Sequence, residues 1–114
     1  MTPARGEVWL FDLGVAGKVR PVLIVSVAYG DLDRALVTIV PHTTSLRGSQ
    51  YEIAVNVAFL KPGAFLVQNV ATYPNGRAIR KLGMLKKDQF DVVFSNLLRW
   101  LGHTAQQPQA SNLE

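Results

Sequence analysis

The apolar and polar positions of this chain follow two periods. Residues 7–13, EVWLFDL, alternate: Glu7, Trp9 and Phe11 share one face, and Val8, Leu10 and Asp12 share the other, which is strand spacing. Residues 19–27, VRPVLIVSV, are β-branched and apolar on both faces, as a central strand requires. Pro21 has no backbone donor, so it is expected at the start of that strand or at a bulge. A third strand is predicted over 34–42, stopping around Pro41, and a fourth over 51–55. A turn at Lys61-Pro62-Gly63 leads into another extended segment reaching residue 73, and the Asn75-Gly76 turn pair precedes a short strand. Residues 14–18, 29–33 and 43–50 carry the glycines and polar residues of loops.

From residue 87 the period becomes helical. Phe90, Val93, Phe94, Leu97, Leu98 and Leu101 form one apolar stripe. Asp88 and Asp91 suit the positive end of a helix, Arg99 suits the negative end, and Gly102 can stop it. The predicted fold is mainly β with a C-terminal α-helix: five to seven short strands in a strongly bent small barrel or two-sheet arrangement, closed by the helix. It forms a single domain over residues 1–102, with the helix at about 87–102 and a mobile tail over 103–114.

Composition narrows the class. The 114 residues are 48% hydrophobic and 18% charged, enough apolar surface for one core. No apolar run approaches the roughly 20 residues of a membrane-spanning helix, and the N-terminus lacks the long apolar stretch of a secretory signal. Cysteine is absent, which removes disulfides, zinc–thiolate sites and cysteine nucleophiles, and fits a cytoplasmic location. His42 and His103 lie far apart and outside any acidic cluster, so no metal or other cofactor is expected. The net charge is +4. Residues 76–87, GRAIRKLGMLKK, hold Arg77, Arg80, Lys81, Lys86 and Lys87 without one acid. Such a stripe suits a polyanionic partner, nucleic acid first and an acidic protein second, or else a solvated surface.

Arg20 raises a separate question. A permanently charged side chain at the mouth of an apolar strand needs either a partner or a task. Asp12 and Glu7 are the candidate partners.

Three stretches in order, Arg5-Gly6-Glu7-Val8-Trp9, then Arg20-Pro21-Val22-Leu23-Ile24-Val25-Ser26, then Pro41-His42-Thr43-Thr44, resemble the MazF/PemK family of toxin ribonucleases. Residues 64–72, AFLVQNVAT with the preceding Gly63, and the RKLGML run add to a likeness covering roughly residues 5–102. The resemblance implies an SH3-like barrel of the MazF/CcdB type, a homodimer, and metal-free cleavage of single-stranded RNA (mRNA). It also implies neutralisation by a cognate antitoxin whose acidic, flexible tail occupies the RNA groove.

The family's catalytic arginine and threonine fall on Arg20 and Thr43. Cleavage without metal uses the ribose 2′-OH as nucleophile and leaves 2′,3′-cyclic phosphate and 5′-hydroxyl ends. A guanidinium stabilises the crowded phosphorane, and a hydroxyl donates to phosphate or relays a proton. His42 is either an auxiliary proton acceptor or a half-exposed strand-end side chain that stacks on a base or touches nothing. Thr44, Ser45 and Arg47 stand where they would contact phosphate, with a turn role as the alternative for the first two. Gln68 would read a base edge or brace the site. Lys18, Arg77 and Arg80 would contact the RNA backbone or remain solvated. Trp9, Phe11, Phe59 and Trp100 are expected in the core or at a dimer surface rather than as stacking platforms.

Two departures accompany the likeness. The first loop, between Asp12 and Arg20, is short, and residues 65–68, FLVQ, lack the arginine and aspartate that one branch of the family uses as catalytic partners. Two other readings fit the same barrel: a CcdB-like poison of DNA gyrase, although Trp100-Leu101-Gly102 only weakly matches the ending those poisons use, and an inactive barrel that binds nucleic acid or protein.

Overall fold

The computed structural model describes residues 2–14 and 18–103. The middle of the first loop and residues 104–114, nearly all of the expected mobile tail, lie outside the described residues. Seven strands form in chain order: β1 (Glu7–Asp12), β2 (Val19–Ile24), β3 (Leu36–Thr43), β4 (Glu52–Ile53), β5 (Ala64–Leu66), β6 (Ala71–Pro74) and β7 (Ala78–Met84). One helix, α1 (Lys87–Trp100), follows. The strands make an antiparallel sheet in the order β4-β5-β3-β2-β1-β7, and β6 adds to β3. The sheet curls like a barrel without closing.

The three central strands are buried on both faces, which is why β1 alternates in pattern but not in exposure. Val8, Leu23, Val25 and Val40 point to one side, into a core with Phe65, Val67, Phe90, Val93 and Leu97. Trp9, Phe11, Val22, Ile24, Val37 and Ile39 point to the other and form a second core. Helix α1 covers only the first. Its stripe meets the sheet through Phe90, Val93 and Leu97, while Leu101 lies past the last helical residue and is exposed. Gly102, at φ +92°, turns the chain out of the helix as the sequence predicts. Gln89 accepts the Lys86 amide at 2.9 Å to hold the helix start.

Arg5 links helix to sheet. Its guanidinium lies over the rings of Phe90 and Phe94 at 4.6 and 4.4 Å and donates to the carbonyl of Val25. Glu7 accepts from the Trp9 indole at 2.9 Å and pairs with Lys81 at 3.0 Å. Burial alone would raise the Glu7 carboxyl, but the Trp9 indole, the Ala4 amide and Lys81 together hold it below its ordinary value.

Two expectations about the strands need correction. Pro41 does not end the third strand; β3 continues through His42 and Thr43 by changing partner from β2 to β5. The extended segment after Gly63 is also broken in two by a 3-10 turn over Val67–Asn69. The cause is a register mismatch. Between Ile39 and His42 strand β3 advances three residues, while the facing chain advances six, from Phe65 to Ala71. The turn takes up the difference and buries Val67 completely.

Glycine is required where the chain crosses β3 closely. A Cβ on Gly63 would strike the carbonyl oxygen of Thr43 and come within 2.8 Å of His42 Cε1. A backbone oxygen cannot swing aside as a side-chain tip can. Gly63→Ala is expected to destabilise the protein by about 1–3 kcal/mol, as overpacking generally does. The midpoint of urea unfolding should fall with an unchanged m value.

Candidate nucleic-acid interface and active site

The site is built where β2 and β3 stop pairing. Their register runs Ile24↔Ile39, Leu23↔Val40, Val22↔Pro41, and there it ends. Pro21 has no N–H to donate across to β3, so the ladder stops after the Val22↔Pro41 pair, while the Pro41 nitrogen faces away from β2. Two residues beyond the last pair on each strand stand Arg20 and Thr43, on the same face and opposite one another by register. Each is held from its outer side: Arg20 is paired with Phe11 of β1, and Thr43 with Ala64 of β5. Arg20 and Thr43 therefore border a gap that the missing backbone bonds leave open.

Two hollows of about 570 Å³ each meet at this gap. One lies on the face away from α1 and is lined by Pro41, Arg47, Glu52, Leu66 and Gln68. The other lies on the helix side and is lined by Leu10, Pro21, His42, Phe59, Lys61 and Arg80. Lys18, Arg20, Thr43 and Ser45 line both. Of the sequence candidates the structure gathers all except Arg77. That guanidinium donates to the Asp12 carbonyl at 3.3 Å and stands 5.9 Å from the Tyr73 ring centre, away from both hollows.

The charge in the hollows is one-sided. Lys18, Arg20, Arg47, Lys61 and Arg80 face a single carboxylate, Glu52. The ion pairs among the described residues are Lys81–Glu7 and Lys87–Asp91, so neither Glu7 nor Asp12 neutralises Arg20. Asp12 instead accepts the Gly14 amide at 2.8 Å. The half-buried guanidinium of Arg20 remains unpaired in a basic surrounding, which favours an anion there.

Thr43 is buried, at 7% exposure, and its hydroxyl oxygen accepts the Ser45 amide at 3.0 Å. That bond fixes the oxygen and leaves the hydroxyl proton to be donated. His42, expected to be half-exposed if it had no catalytic role, is 4% exposed and stacks edge-on against Phe65 at 5.0 Å. Burial holds its pKa below the ordinary histidine value, which favours the neutral imidazole. Gln68 sits not in a strand but exposed in the 3-10 turn. Trp9 and Phe11 are core residues as expected, and Trp100 packs on Tyr51 at 5.2 Å. Among the described residues no group of three or more His, Asp or Glu side chains stands together as a metal-ligand set.

Sequence reasoning misses Glu52 and Lys61. The loop after Thr43 folds back over Glu52, whose carboxylate accepts the amides of Arg47, Gly48 and Ser49 at 2.8–3.1 Å. This ring of donors holds Arg47 and Ser45 at the rim. The Arg47 amide first, with Gly48 and Ser49, keeps the Glu52 carboxyl below its ordinary value. The Arg47-Gly48-Ser49 run followed three residues on by an acid is the one local signal that marks it. Lys61 lines the site just ahead of the close approach to β3 that Gly63 permits, a proximity that no spacing in the sequence shows.

A family model described as the PemK-like, MazF-like toxin of type II toxin–antitoxin systems matches residues 4–101. The fold is similar to an endoribonuclease in complex with its cognate antitoxin from a mycobacterial species, 27% identical, at TM-score 0.75 over 88% of this chain and 95% of that one. It is also similar to toxin MazF-mt6 of Mycobacterium tuberculosis, 26% identical, at TM-score 0.69 over 83% and 95% of the two chains. MazF of Deinococcus radiodurans, 20% identical, superposes at TM-score 0.78 over 90% and 99% and shows the fold alone. No curated protein matches the chain.

The Glu52 clasp has a defined pH dependence. A carboxyl with a lowered folded pKa adds stability above its unfolded value, near 4.5, and loses it as pH falls through the folded value. Hydrogen exchange at the Arg47, Gly48 and Ser49 amides, corrected for intrinsic rates, should accelerate as pH drops below 4.5 while core strand amides stay protected. Glu52→Gln should show the same selective loss at pH 7.

Proposed function

The chain belongs to the PemK-like, MazF-like toxin family of type II toxin–antitoxin systems, and on that premise we propose that it is a metal-independent endoribonuclease cleaving single-stranded RNA at the gap between Arg20 and Thr43. The observation that carries this reading is the placement of those two side chains, each two residues past the last β2–β3 pair and both lining the same two hollows. A similar mycobacterial structure is described as an endoribonuclease in complex with its cognate antitoxin, which supports both the activity and an antitoxin partner here. An acidic segment of that antitoxin would meet the same five cations as the RNA. A homodimer belongs to the same reading.

The reaction follows from the chemistry of the pair. The 2′-hydroxyl loses its proton to solvent as its oxygen attacks the adjacent phosphorus. The bond from phosphorus to the 5′-oxygen breaks, that oxygen takes a proton from solvent, and the products are a 2′,3′-cyclic phosphate and a 5′-hydroxyl. Arg20 donates two hydrogen bonds to the non-bridging oxygens as charge builds on them. The Thr43 hydroxyl, its oxygen already engaged by the Ser45 amide, donates its proton to the same phosphate. Glu52 is committed to three backbone amides and is not available to take the 2′ proton. Lys18 and Arg47 hold the flanking phosphates, which makes binding salt-dependent.

Incubation with mixed single-stranded RNA in EDTA should yield fragments with those ends. Arg20→Ala should lower kcat by about a hundred- to thousandfold, the loss of one preorganised donor. Thr43→Val should also lower kcat, with a smaller effect on KM. A substrate with a single 2′-deoxy position at the cut site should resist cleavage. Intact RNA across many sequences, or full activity in Arg20→Ala, would overturn the assignment.

A further inference from the structure

We propose that the helix-side hollow is a nucleobase pocket, in which His42 reads the edge of the base next to the scissile phosphate. The inference rests on the nuclease reading and specifies which part of the site selects sequence. Among the described residues the Nε2 of His42 is the buried side-chain nitrogen that lacks any hydrogen-bond partner. Buried polar atoms are rarely left so without a functional reason. Because Nε2 is sealed, a base meets the ring at Nδ1, which has no hydrogen-bond partner among the described residues, and the residue lines the hollow.

The ring is held in place before any ligand arrives. Phe65 packs edge-on against it, and the backbone at Gly63 leaves no room for a Cβ beside Cε1. A fixed polar edge is what recognition needs, because little freedom is lost on binding. The walls around it are flat or apolar: Leu10, Pro21, Phe59 and Leu82. The Phe59 ring lies so close to Gly83 that a Cβ there would come within 2.5–2.7 Å of it, so this wall too is set by the strand beneath.

The rim supplies the remaining chemistry. Arg80 and Lys61 are cationic, and Arg20 and Thr43 form the edge shared with the other hollow. An apolar slot with one polar reader, an aromatic wall and cations at its mouth matches a base carried on a phosphodiester. A base lodged there belongs to a nucleotide whose phosphate reaches Arg20 and Thr43. With one hydrogen bond available, discrimination between bases is about five- to tenfold.

Two arms test this. In the first, RNA pools randomised around the cut are digested by wild-type protein, His42→Leu and Leu10→Trp. Leu10 belongs to neither core, so the tryptophan fills the hollow while His42 stays in place. Wild type should prefer one base at one flanking position, and both variants should flatten that preference about five- to tenfold. The His42→Leu pH–rate profile should keep its shape, whereas loss of a proton acceptor would alter it for every substrate. In the second arm, wild-type protein is titrated with all-2′-deoxy oligonucleotides differing at that base, and the His42 imidazole resonances are followed by NMR.

Resonances that move with base identity support the pocket even if RNA cleavage fails, so the two readings can fall separately. Unmoved resonances, or unchanged preference in either variant once it is shown to be folded by circular dichroism, overturn it while leaving the nuclease standing.

Discussion

One missing backbone donor, that of Pro21, ends the β2–β3 ladder and opens the candidate site. Pro21 offers no N–H to β3 beyond the Val22↔Pro41 pair, and pairing stops there. The strands themselves continue, because β1 still holds β2 and β5 takes over β3. The result is a sheet with an opening in it rather than a sheet that frays. Arg20 and Thr43 flank that opening by register, and register is fixed by burial on both faces. A slip of one residue would drive Val22 and Ile24 out of one core and Leu23 out of the other. The apolar residues that make the strand central therefore also position the two polar ones.

Electrostatics then separates a binding site from a surface with charges on it. The acids that Arg20 might have used are occupied: Glu7 by Trp9 and Lys81, Asp12 by the Gly14 amide, and Glu52 by a loop. A half-buried guanidinium without a carboxylate carries a desolvation cost that a phosphate relieves with two charge-assisted bonds. Arg77 shows the contrast. It came from the same basic run as Arg80, yet it caps a carbonyl and faces Tyr73, where it serves the fold.

The parts of this that were legible in the sequence share a cause. Strand identity, the helix stripe and the Gly102 stop all arise from local period or from single residues within it. What escaped depends on contacts between distant segments. The 3-10 turn at Val67–Asn69 exists because β3 and its partners advance unequally, a mismatch visible only once both ladders are known. The burial of His42 follows from β5 crossing at Gly63 and Phe65, twenty residues and more along the chain. Glu52 was hidden because its role is to satisfy backbone amides, and amides look alike in any sequence. Gln68 was misplaced with the turn that carries it.

The two side chains proposed to act on the phosphate are held with unequal rigidity, and that inequality has a consequence for the proposed reaction. Thr43 is paired to Ala64, overlaid by Gly63 and bonded to the Ser45 amide, so its hydroxyl occupies one position. Arg20 is anchored at its backbone by Phe11, but its long side chain makes no ion pair among the described residues. Catalysis by charge stabilisation requires donors that meet the transition state better than the ground state. A fixed hydroxyl defines where the phosphate must sit. A guanidinium with reach can then follow the non-bridging oxygens as they spread from tetrahedral toward bipyramidal geometry. The division of labour thus follows from the fold: the short side chain, seated where the chain crosses closely, sets position, and the long one, at the open side of the gap, follows the charge.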